Sequence, residues 1–82
     1  MEHDQEARWI NAVAETLRAE RGIAGLSQAE AARRSGITRS SYRYYEQGVR
    51  QPSVDQVAAI AEAFGVTFLH LVAEVQRRAI GE

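Results

Sequence analysis

The side chains with chemistry to offer in this chain are arginines, and they are unevenly placed. All ten basic residues are arginine, so lysine-dependent chemistry such as a P-loop or a Schiff base is excluded. Six of them fall between Arg21 and Arg50, where they face only two glutamates. That central block carries +4, against −3 for residues 1–20 and −2 for residues 51–82, within a net charge of −1. Such a distribution orients one positive face toward phosphates while the acidic remainder weakens non-specific attraction. The chain has no cysteine, hence no disulfide framework and no thiolate metal site. Two isolated histidines, His3 and His70, cannot make a zinc site. With no paired Ser/His/Asp arrangement and no glycine-rich phosphate cradle, neither catalysis nor a cofactor is implied.

Two short capped helices must position the arginine block. Ser27 followed by Glu30 is a capping box, so a helix begins at Gln28. It ends at Gly36, just past Arg33 and Arg34, where basic side chains suit the helix dipole and a residue tolerant of positive φ is needed. Thr38 offers the next N-cap hydroxyl. The helix it opens sets Ile37, Tyr42 and Tyr45 as apolar bodies on one side and Arg39, Ser40, Arg43 and Tyr44 on another. Gly48 closes it. Two capped helices joined by a glycine-containing turn form a helix-turn-helix over residues 28–47, a layout that points at DNA.

The remaining segments supply a scaffold. Eighty-two residues suit one small domain that buries about 60% of its unfolded surface. A first helix is expected from about Asp4 to Arg21, with Ile10, Val13, Ala14 and Leu17 toward the core and Trp9 packed on the edge of that stripe. Gly22–Gly25 reads as a loop. After Val49–Pro52, whose proline biases Gln51 to an extended conformation, Ser53 and Gln56 repeat the capping-box spacing. Val57, Ile60, Ala61 and Phe64 then form an apolar stripe ending at Gly65. Thr67 caps a fifth helix with two stripes: Phe68, Leu71, Val72 and Val75 on one side, Leu69, Ala73 and Ile80 on the other. One stripe completes the domain, and the second is expected to be covered by a second subunit. His70 is expected to be an exposed helical residue. With no strand pattern, the fold class is all-α. No apolar run approaches the roughly 20 residues that span a bilayer, and the N-terminal MEHDQEARW is acidic, so no membrane association is expected and the expected compartment is the cytoplasm.

From about Leu17 to Glu74 the chain closely resembles the lambda-repressor and Cro-like family, the XRE-type helix-turn-helix regulators. Leu26-Ser27-Gln28, Ala32, Gly36, Tyr42, Tyr45, Glu46, Gly48, Pro52-Ser53 and Phe64-Gly65-Val66 fall where that family has its marker residues. The resemblance implies a five-helix lambda-repressor-like DNA-binding domain within residues 1–82, extended by residues 1–16 and 75–82. It departs from the family in three places. Tyr42 and Tyr45 replace smaller aliphatic side chains while Ala31 replaces a larger one, which suggests compensation in volume. The link after helix one looks about three residues longer, through Ile23-Ala24-Gly25. The N-terminal ten residues extend beyond the family core.

The resemblance further implies that the second motif helix lies in the major groove with its N-terminal residues at base edges. Arg39, Ser40, Arg43 and Tyr44 match those positions. Arg39 is the first candidate for specificity, because a bidentate contact to guanine O6 and N7 is worth roughly 1–3 kcal/mol of discrimination. Tyr44 could touch a thymine methyl or a phosphate. Gln28, Ser41 and Arg50 are the candidate phosphate contacts, and Arg33 and Arg34 plain surface. Glu46 is expected to brace the scaffold by pairing with Arg18 of helix one. The function implied is a sequence-specific, double-stranded DNA-binding transcriptional regulator, acting as a repressor and as a homodimer through Leu69, Ala73 and Ile80. The alternative is an antitoxin or adaptor that uses helix five or the N-terminal extension to bind another protein.

Overall fold

Hydroxyl caps set four of the five helix starts. The Oγ atoms of Ser27, Thr38, Ser53 and Thr67 accept hydrogen bonds from the backbone N–H groups of Glu30, Ser41, Gln56 and His70, satisfying donors that a helix N-terminus leaves open. Glu30 and Gln56 reciprocate onto the N–H groups of Ser27 and Ser53, each at 2.9 Å, completing the two expected capping boxes. The structure, a computed structural model, describes the backbone of residues 2–81 and the side chains of residues 6–81; the His3 side chain lies outside them. The elements are α1 (Glu2–Ala24), α2 (Gln28–Ser35), α3 (Arg39–Gln47), α4 (Val54–Phe64) and α5 (Phe68–Ala79). Among the described residues there is no strand. Helices α2, α3 and α4 each end at a glycine in the left-handed conformation.

The first helix differs most from expectation. Gly22, Ile23 and Ala24 belong to α1 rather than to a loop, and the chain turns only at Gly25, with φ +74°. Of the three apparent extra residues, Ile23 and Ala24 lengthen the helix and Gly25 makes the turn, so the connection to α2 is short. The Leu26 N–H bonds back to the Arg21 carbonyl at 3.2 Å. Ala14 and Leu17 are buried as expected, while Ile10 and Val13 are half-buried and Trp9 is exposed. A second buried row, Ala12, Thr16 and Glu20, was not foreseen because two of its members are polar. It exists because α1 packs against α5 as well as α3. Arg78 donates to the Thr16 hydroxyl at 3.1 Å, and His70 Nε2 lies 3.2 Å from Glu20 Oε1. His70 is an exposed helical residue, as expected, and its ring also pairs with Glu20.

The core gathers Leu17, Leu26, Tyr42, Ile60, Phe64 and Leu71 between the helices. Helix α5 gives it little: Leu71 and Ala79 are buried, whereas Phe68 and Val72 of the expected inner stripe stay more than a third exposed. Much of that stripe is spent at the rim.

At the centre, α3 sends one carboxylate inside. The Glu46 side chain is 1% exposed and accepts from Arg21 Nε at 2.7 Å and Nη2 at 3.1 Å, from Gln28 Nε2 at 2.9 Å, and from the Tyr42 hydroxyl at 2.6 Å. The expected partner, Arg18, donates instead to the Glu46 backbone carbonyl. Arg21 takes the carboxylate because α1 continues past it, keeping its guanidinium on the α3 side. Arg21 Nη1 also holds the Leu26 carbonyl at 2.9 Å, which ties the α1–α2 turn into the same cluster. Burial opposes the Glu46 charge, but the hydrogen bonds from Arg21, Tyr42 and Gln28 outweigh it and hold the carboxyl below its ordinary range. For Tyr42, burial and then the adjacent carboxylate push the phenol well above its usual range, so it remains the donor.

Glu46→Ala leaves Arg21 and Tyr42 facing an empty site and is expected to cost about 3 kcal/mol of stability by urea denaturation. Because the folded pKa of Glu46 is depressed, its contribution is complete above the unfolded value of about 4.3 and is lost as pH falls below it. The wild type should therefore lose more stability than Glu46→Ala on going from pH 5 toward pH 2. Independently, Gly22 is helical with open space where a Cβ would stand, so Gly22→Ala should stabilise by about 0.5–1 kcal/mol. At Gly48, with φ +74° and a Cβ position 3.4 Å from Asn11 Oδ1, alanine should destabilise by about 1–2 kcal/mol. Thermal melts of both variants test the assignment of Gly22 to α1.

Candidate nucleic-acid interface

Helix α3 is divided along its length. Tyr42, Tyr45 and Glu46 are buried, while Arg39, Ser40, Arg43, Tyr44 and Gln47 are exposed. This division follows from sequence spacing, since residues three and four apart share a helix face. Both buried tyrosines satisfy their hydroxyls: Tyr42 on Glu46, and Tyr45 on Gln56 Oε1 at 2.8 Å. Ala31 is fully buried in the same core cluster as Tyr42 and Tyr45.

The electrostatic consequence is specific. The sole acidic residue of α3, Glu46, faces inward and is neutralised by Arg21. Its solvent face therefore presents the positive charges of Arg39 and Arg43 and no negative one. Among the described residues Arg39, Arg43 and Arg50 form no ion pair. Arg39 is the first residue of α3, and Arg43 follows one turn later. Ser40, Arg43 and Tyr44 line a hollow of about 90 Å³ on that face. Arg50 lies beyond the helix, its guanidinium 5.1 Å from the centroid of the Tyr44 ring.

The candidate phosphate contacts sit around this face with different freedom. The Gln28 side chain is half-buried and gives one amide hydrogen to Glu46, leaving its other hydrogen and its backbone N–H in the first turn of α2. Ser41 is half-buried, its N–H capped by Thr38 at 3.2 Å. Arg50 is exposed. Arg33 and Arg34 are exposed on α2. Sequence reasoning missed Arg21, although a signal was available: it follows Arg18 by three residues within the expected first helix and so shares its face.

Leu69, Ala73 and Ile80 share another surface. Leu69 is 76% exposed and Ile80 48%, and Ala73 and Ile80, with Gln76 and Arg77, line a broad shallow depression along α5. No single helix is long and apolar enough to cross a membrane.

Comparison with known proteins agrees with this geometry. The helix-turn-helix family profile matches residues 17–71, most of the chain from the middle of α1 to α5. Among curated protein sequences, none matches. Among solved structures, the clp gene regulator ClgR from Corynebacterium glutamicum superposes with a TM-score of 0.81 at 21% identity, covering 88% of this chain and 77% of that one. A point mutant of the restriction-modification controller protein C.Esp1396I gives a TM-score of 0.81 at 15% identity, over 88% of this chain and 96% of that one. A transcriptional regulator from Vibrio cholerae gives 0.76 at 22% identity, over 83% of this chain but 38% of that one. At these identities the solved structures establish the shared fold, and the family match establishes membership. The chain belongs to the XRE-type, lambda-repressor-like helix-turn-helix family of DNA-binding regulators.

Proposed function

We propose that this protein is a sequence-specific, double-stranded DNA-binding transcriptional regulator that represses by occupying promoter DNA as a homodimer. The observation that carries the reading is the solvent face of α3, where two arginines that form no ion pair among the described residues stand on a helix whose opposite face is locked into the core. In the major groove, Arg39 offers its planar fork to guanine O6 and N7, and Arg43 reaches a base or a phosphate one turn along. Ser40 supplies a short, adaptable contact between them, and Tyr44 closes that face. Gln28, Ser41 and Arg50 supply phosphate contacts that fix register without reading sequence. The Glu46 brace supports this division, since a helix read at base edges must hold its orientation when it docks.

The dimer is supported by the exposed apolar row on α5, an area that water disfavours and that a second copy would cover. The same row, together with exposed Trp9, also suits a different protein partner, which is the basis of the adaptor or antitoxin reading.

Selection of bound sites from a random duplex library is the direct test. A selected site built of two related half-sites about one helical turn apart is expected. On that site, Arg39→Ala should relax preference at one base pair and weaken binding by about 1–3 kcal/mol. The Arg39→Ala, Arg43→Ala double variant should bind selected and random DNA alike. If the wild type also shows no preference for any duplex, the regulator reading fails. In vitro transcription from a promoter carrying the site should fall on addition of protein. Leu69→Glu should convert a dimer seen by light scattering at micromolar concentration to a monomer, and an unaltered monomer in both, with and without DNA, would exclude the α5 dimer.

A further inference from the structure

Tyr44 and Arg50 behave as one unit at the C-terminal end of α3. The guanidinium lies 5.1 Å from the ring centroid, inside the roughly 6 Å over which an aromatic face attracts a cation. The backbone makes a second link between the same two residues. Past Gly48, the carbonyl of Tyr44 accepts from the N–H of Val49 at 3.0 Å and from that of Arg50 at 3.4 Å. Arg50 is thereby fastened to α3 at its backbone and at its charged end, although it stands in the loop after the helix. An arginine free in a loop must give up rotamer freedom when it meets a phosphate, and one already stacked has less to lose. The ring of Tyr44 is 38% exposed, and the guanidinium occupies part of the surface through which it could meet a base.

We infer that Tyr44 is a positioning residue for Arg50: its ring holds the guanidinium ready for a DNA phosphate at the edge of the site, and it does not read a base. This rests on the DNA-binding reading above. It changes the role expected for Tyr44 and separates α3 into readers toward its N-terminus, Arg39, Ser40 and Arg43, and an electrostatic clamp at its C-terminus.

The test is a double-mutant cycle in duplex binding, using the site selected by the wild type, all its single base-pair variants and a range of salt concentrations. Tyr44→Phe keeps the ring and should therefore bind every sequence more tightly than Tyr44→Leu does. Tyr44→Leu should weaken binding to every sequence alike, by about two- to fivefold. Arg50→Ala should lower the log–log salt slope by about 0.9. In the Arg50→Ala background Tyr44→Leu should have no further effect. Thermal melts confirm that each variant is folded, and Tyr44→Gln carries the same comparison should Tyr44→Leu unfold. A loss confined to one base pair, or one that persists undiminished without Arg50, overturns the inference and returns Tyr44 to base reading. Either result requires a wild type that binds DNA, so failure of the wild type to bind any duplex is a separate result, against the DNA-binding reading itself.

Discussion

A single buried carboxylate orients this domain. Glu46 joins Arg21 of α1, Gln28 of α2 and Tyr42 of α3 through hydrogen bonds of 2.6–3.1 Å. A charge taken so far from water is tolerable only when every oxygen is well partnered. The demand for partners is also what makes the cluster specific. A different tilt of α3 would leave the carboxylate unsatisfied, whereas an apolar side chain at that place would accept many orientations. Arg21 extends the constraint by holding the Leu26 carbonyl, so the turn leading into α2 is set by the same guanidinium that sets α3.

The same carboxylate shapes the electrostatics of the outer surface. Were Glu46 on the solvent side of α3, it would stand among Arg39, Arg43 and Arg50 and lower the attraction of that face for phosphates. Turned inward and matched by Arg21, it leaves Arg39 and Arg43 of α3 with no ion pair among the described residues. Gln28 belongs to both sides of this arrangement. One amide hydrogen serves the brace, and its backbone N–H sits in the first turn of α2, so a phosphate bound there would sense the alignment of both motif helices.

Packing around the brace is unusual in its volumes. Two tyrosines occupy the inner face of α3, and each ring ends in a hydroxyl that needs a partner, found in Glu46 and Gln56. Ala31 is buried in the same core cluster. The α1–α5 seam is built differently, with small and polar residues: Ala12, Thr16 and Glu20 meet Arg78 and His70. Leu69, Val72 and Ile80 remain at the surface of α5.

Most of the architecture is legible in local chemistry. Serine and threonine caps mark the starts of α2 to α5, with a reciprocal glutamate or glutamine at α2 and α4, and glycines mark the ends of α2, α3 and α4, because capping is decided within four residues of chain. The division of α3 into arginine and tyrosine faces is equally local, a matter of helical period. Three features needed the folded molecule. Gly22 stays helical although glycine favours a loop, since it lies between a helix that packs on two neighbours and a turn that Gly25 can make. The choice of Arg21 over Arg18 as the partner of Glu46 depends on how α1 crosses α3, and both arginines are equally basic in the sequence. The burial of Thr16 and Glu20 has no hydrophobic signal, because their partners stand 62 and 50 positions away on α5. Local propensity and period are properties of the chain, whereas the pairing of buried polar groups is a property of which surfaces meet.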